Sequence, residues 1–74
     1  MVEDKLLHCY LTLNPEKRLE RFADTSRAAE ITGLSRRTIQ FWIEVGQIHA
    51  VRLGKKYQVD LHSLYDYLNR NGHR

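Results

Sequence analysis

Within the six residues from Ser35 to Gln40 stand five side chains with the chemistry of base edges and phosphates: Ser35, Arg36, Arg37, Thr38 and Gln40. An arginine guanidinium offers two parallel donors that match guanine O6 and N7, and a glutamine carboxamide can donate and accept against adenine. Hydroxyls and free backbone N–H groups at a helix start suit phosphate. A second group, Arg52, Lys55 and Lys56 around Gly54, would place cations on one turn, where they suit a phosphate backbone or the negative potential of a narrow groove. An arginine pair alone is as often a solvated helix start. What decides is the set of elements that must hold these groups.

Residues Thr25 to Glu44 predict two short helices joined by the turn Gly33-Leu34-Ser35. Thr25 offers a hydroxyl cap to the first, in which Ala28, Ala29 and Ile31 are the only apolar positions, and Gly33 ends it. Ser35 caps the second, which runs from Arg36 to about Val45. There Ile39, Trp42 and Ile43 bury one face, while Arg36, Arg37, Gln40 and Glu44 project from others. Gly46 closes it in the left-handed conformation. Two helices crossing steeply through so short a turn need a small side chain at the crossing, here Ala29, and large apolar groups to lock them, here Ile39 and Trp42. This is a helix-turn-helix arrangement, whose second helix enters the DNA major groove by its N-terminal turns. His49–Leu53 and Tyr57–Val59 alternate around Gly54-Lys55-Lys56 and predict a β-hairpin with a basic tip over 49–59. Asp60 caps a last helix with the stripe Leu61, Leu64, Tyr65 and Leu68, stopped by Asn71-Gly72.

Ahead of this unit, Val2, Leu6, Tyr10 and Leu13, flanked by Leu7 and Leu11, follow one helical face. Asn14-Pro15-Glu16 restarts a second helix to about Arg21, with Leu19 and Phe22 as its apolar contacts. The chain thus divides into a helical extension (1–21), a nucleic-acid-binding unit (22–70) and a tail (71–74). The stripe Leu6, Leu7, Tyr10, Leu11 has two readings: a helix folded onto the chain's own core, or a contact between two copies on neighbouring half-sites. Seventy-four residues allow one domain at most. Residues 1–24 hold four basic and five acidic side chains, and 25–74 hold eight and four. The polyanion-facing surface is therefore expected in the second part. A single cysteine, Cys9, an acidic start and no apolar stretch of membrane-spanning length predict a cytoplasmic protein with no membrane partner.

The run from Thr25 through Ile48 resembles the winged helix-turn-helix of excisionase-type and MerR-type DNA-binding proteins, and the likeness continues through Ala50–Asp60 to end near Leu68. The resemblance implies a mainly helical fold with a small β-hairpin wing, carried by bacteria or phage and associated with the nucleoid. Its second helix would lie in the major groove and its wing against a minor groove or the backbone. Carried onto this chain, Arg36, Arg37, Thr38 and Gln40 become the recognition-helix contacts, with Ser35 at their edge, and Arg52, Lys55 and Lys56 the wing contacts. Phe41 stands where MerR-type members have a tyrosine near the backbone, so a hydroxyl contact is lost. Thr32 replaces a larger aliphatic residue before the turn glycine, which weakens the expected core. Tyr57 is expected to pack under the wing.

Other chemistry has little support. His8-Cys9 lacks further ligands at zinc spacing, and His49, His62 and His73 are scattered. There is no glycine-rich phosphate loop and no poised pair of acids. The expectation is a non-enzyme with no cofactor and no metal. MerR-type sensors carry a long coiled coil and an effector segment after the DNA-binding unit, so no small-molecule effector is expected. The function implied is sequence-preferring binding of double-stranded DNA, as a small transcriptional regulator or as an accessory factor in excisive recombination, with a homodimer or cooperative multimer on the DNA. The alternative is a protein-interaction adaptor that keeps the fold without binding DNA.

Overall fold

The computed structural model describes the backbone of residues 2–71 and the side chains of residues 5–70. The side chain of Val2, the stop at Gly72, His73 and the tail beyond Asn71 lie outside that description. In chain order the elements are α1 (Val2–Thr12), α2 (Pro15–Arg21), β1 (Phe22–Asp24), α3 (Thr25–Thr32), α4 (Arg36–Glu44), β2 (Ala50–Leu53), β3 (Lys56–Asp60) and α5 (Leu61–Asn71). This is a winged helix-turn-helix with a three-stranded antiparallel sheet and two added N-terminal helices.

Local chemistry sets most boundaries. Asn14 Oδ1 accepts from the Lys17 amide at 2.9 Å, and Pro15 opens α2 where its missing N–H is harmless. The cap of α3 is Asp24, not Thr25: its Oδ1 accepts from the Arg27 amide at 2.8 Å, and Thr25 is already helical. A carboxylate there also meets the positive helix end, which a hydroxyl does less well. Gly33 ends α3 with φ 76°, its amide donating to Ala29 O at 2.8 Å. Gly46 has φ 82° after α4, where the Gln47 amide reaches Trp42 O at 2.8 Å. At the wing Leu53 pairs with Lys56, so the turn is Gly54-Lys55 alone. The first wing strand begins at Ala50, not His49, and Lys56 stands in the second strand rather than in the turn.

β1 is an element that the sequence pattern did not predict. Three residues carry no periodicity, yet Phe22 pairs with Asp60 and Ala23 with Val59, giving the strand order β1-β3-β2. Paired residues share a face of the sheet. On one face Ala23 and Val59 meet the core formed by Ala28, Ile39, Ile48, Leu61 and Leu64, with Leu34, Trp42, Ile43, Tyr67 and Leu68 around it. On the other face Phe22 and Val51 meet Leu6 of α1, with Leu7, Tyr10 and Leu13 beside them. Tyr10 stands edge-on to Phe22, ring centroids 5.1 Å apart. The sheet is therefore a middle layer between the helix-turn-helix and α1.

Several expected packing positions shift. Leu19 is 63% exposed, because the contact expected of α2 is supplied by Phe22 from β1. Leu11 is also exposed, lying off the stripe through Leu6 and Tyr10. The fully buried small residue of α3 is Ala28, with Ala29 at its side and Ile31 exposed. On α5 Tyr65 is exposed and Tyr67 packs instead, 4.8 Å from Trp42 between ring centroids. Thr32 costs the core little, because its hydroxyl donates to Ala28 O at 2.8 Å and accepts from the Leu34 amide.

Candidate nucleic-acid interface

α4 is held by its apolar face and capped at its N-terminus by Ser35. Ile39 is fully buried, and Trp42 and Ile43 are half-buried on the same side. At 100° per residue the ridge opposite this face carries Arg37, Phe41 and Glu44, with Gln40 close by; all four are exposed. Ser35 Oγ accepts from the Thr38 amide at 3.1 Å and shares a second hydrogen bond with the Thr38 hydroxyl at 2.9 Å. Both hydroxyls therefore already have partners in the cap. They fix where α4 begins, and with it where Arg36 and Arg37 project.

The two arginines differ. Arg36 Nη1 donates to Ser26 Oγ at 3.1 Å, across the start of α3. Arg37 has no hydrogen bond or ion pair among the described residues and is exposed. Ser26 escaped the sequence reading because its relation to Arg36 is tertiary. The available signal was weak: an exposed serine next to a helix start, one helix before the arginine.

The wing is built differently. Gly54 has φ 64° and Lys55 a negative φ, the signs of a type II′ turn, which suits a two-residue hairpin. Arg52 Nε donates to Gly54 O at 3.1 Å, and its guanidinium lies 5.8 Å from the ring of Tyr57, its cross-strand partner. Arg52 thus braces the tip, and Tyr57 is half-buried beneath it. Lys55 and Lys56 are exposed and make no ion pair among the described residues. At the wing base the Ser63 hydroxyl accepts from the His49 amide at 2.9 Å and donates to Asp60 O at 2.8 Å, which ties the hairpin to α5. Asp60 is buried at 5% exposure, caps the His62 amide at 3.1 Å and faces Arg21 Nε at 3.5 Å.

Other sites are sparse. Cys9 Sγ accepts from Arg21 Nη1 at 3.4 Å while His8 is exposed, and among the described residues no three His, Cys, Asp or Glu side chains gather as metal ligands would. A cleft of about 650 Å³ follows the outer edge of β2 between α1 and the end of α4, and of the interface residues it touches only Arg52. No described helix is long and apolar enough to cross a membrane.

No curated protein and no solved structure matches the chain. Residues 24–72 match the family model of a helix-turn-helix domain, a span that opens at the Asp24 cap and takes in both helices, the wing and α5. With its two capped helices, three-residue turn and basic wing in that order, the chain belongs to this excisionase-like helix-turn-helix family.

Proposed function

We propose that the chain binds double-stranded DNA with sequence preference, through α4 in the major groove and the wing on the flanking backbone. The observation that carries this is the placement of Arg37 and Gln40, exposed on the outward side of a capped helix, together with the exposed lysines Lys55 and Lys56 of the wing. Donors left unused by the chain are what base edges and phosphates require. Arg37 and Gln40 then read bases. Arg36, with Ser26, and the hydroxyls of Ser35 and Thr38 position the helix on phosphates, while Arg52 holds the wing that presents Lys55 and Lys56. In this reading residues 22–70 are the DNA-binding unit, residues 1–21 are its helical extension, and Leu6 and Tyr10 of α1 brace the back of its sheet. Its use is as a small transcriptional regulator occupying a promoter, or as an accessory factor in excisive recombination. Two copies on neighbouring half-sites would extend the recognised sequence, and the exposed Leu11 and Leu19 are apolar groups suited to a contact between them.

The test is fluorescence-anisotropy titration of a mixed-sequence duplex at about 50 and 200 mM salt. The expected result is binding at the lower salt that weakens by orders of magnitude at the higher. Absence of binding at the lower salt would overturn the reading in favour of a protein-interaction adaptor.

A further inference from the structure

Phe41 is an aromatic ring in an exposed place. It is 58% exposed, in the middle of α4 and one helical turn beyond Arg37, so the two side chains share the outward ridge. Among the described residues its ring has no aromatic or cationic neighbour. The helix does not need it for folding, since Ile39, Trp42 and Ile43 supply the buried face. The Phe41 ring is an apolar surface standing on the same ridge as the polar side chains of Arg37, Gln40 and Glu44.

Resting on the DNA-binding reading above, we infer that Phe41 is a specificity-determining residue that contacts the C5 methyl group of a thymine. That methyl is the apolar group which the major groove displays, and it separates thymine from the other natural bases. The spacing places it. Four residues of helix advance about 6 Å, so the thymine lies about two base-pair steps from the pair read by Arg37, given a rise of about 3.4 Å per step. The recognised sequence thus couples a guanine met by a forked donor to a thymine met by a ring, both on one ridge. Val45, 49% exposed and one further turn on, continues the ridge and would be the alternative anchor of a contact between two copies, which the test must separate from base reading.

The experiment selects a preferred duplex from a random-sequence pool with the full chain. Each thymine of that duplex is then replaced in turn by uracil, which removes the methyl and nothing else. At one thymine near the guanine whose discrimination depends on Arg37, the replacement should raise the Kd of the unaltered protein about fourfold, the worth of one buried methyl. Phe41→Ala should bind thymine and uracil duplexes equally. The inference is overturned if no thymine is sensitive, or if Phe41→Ala keeps the difference. It is also overturned if Phe41→Ala lowers affinity by turning a dimer into a monomer in sedimentation while the thymine–uracil difference of the unaltered protein persists in the variant. Failure of the whole pool to bind at about 50 mM salt would instead remove the DNA reading on which the inference rests. Binding without a methyl effect removes the inference alone.

Discussion

Arg18, Arg21 and Arg27 give their donors to the chain itself, whereas Arg37, Lys55 and Lys56 make no such bonds among the described residues. Arg18 Nε donates to Tyr10 O at 2.9 Å and its Nη2 to Leu13 O at 3.1 Å, closing the free carbonyls at the end of α1, and its guanidinium lies 4.6 Å from the Tyr10 ring. Arg21 sits between Cys9 and the buried Asp60. Arg27 Nη1 reaches Leu19 O at 3.0 Å and pins α3 to α2. A count of basic residues is therefore a poor guide to a polyanion surface. The donors left over after the fold has taken its share are a better one. Arg36 and Arg52 stand between these groups: each makes one bond within the chain, to Ser26 and to Gly54, and each remains exposed.

The largest effect is expected in the N-terminal layer. Phe22 is 1% exposed between the sheet and α1, and Phe22→Ala should destabilise the fold by about 3–5 kcal/mol. Urea denaturation reads this as a lower midpoint with little change in slope. If the N-terminal layer were a loose appendage, the midpoint would hardly move, and α1 would not be a structural part of the unit that carries the interface.

Next in size is the effect on the other side of the comparison. Arg37→Ala should cost about 1–3 kcal/mol at the preferred site and relax discrimination at one base pair, while leaving the urea midpoint where it was. A uniform loss across all duplexes would place Arg37 on phosphate instead of a base. Arg18→Ala reverses the signature. Three of its four contacts are with carbonyl groups and all are at least partly open to solvent, so a loss of about 1–2 kcal/mol in stability is expected, with DNA affinity of the folded fraction unchanged.

Which parts could be read from the sequence follows from how local their causes are. The caps at Asn14 and Ser35 and the glycines at 33, 46 and 54 act within a few residues, and each was visible. The turn between α3 and α4 was visible for the same reason, and so were the positions of the exposed cations. β1 was not, because its three residues become a strand only by pairing with β3 from the other half of the chain. Tyr65 illustrates the same limit on a helix. Its spacing after Leu61 fits the stripe, yet the partner surface offers Trp42 on the side where Tyr67 projects, and the tertiary contact outweighs the spacing. The Asp60 cap was legible, but its facing of Arg21 was not. At the candidate interface, the exposure of Arg36 and Arg37 followed from their places on α4, while the division between Arg36, bonded to Ser26, and Arg37, with no such bond among the described residues, required the three-dimensional arrangement.

A lysine of the wing isolates the effect of charge. Lys55 stands at the second turn position of the wing, exposed, with no ion pair among the described residues, so Lys55→Ala should leave stability unchanged within about 0.5 kcal/mol. On DNA, the slope of log affinity against log salt should become shallower by about one unit, because one phosphate contact no longer releases its counterion. The loss should be the same for every duplex, since a point charge on the backbone carries no base information. Lys17 provides the control. It too is an exposed lysine, but on α2, whose neighbours Arg18 and Arg21 serve the fold, and Lys17→Ala should leave the salt slope as it is. Equal slope changes at Lys55 and Lys17 would mean that net charge alone attracts the polyanion, and that the wing has no special place in the interface.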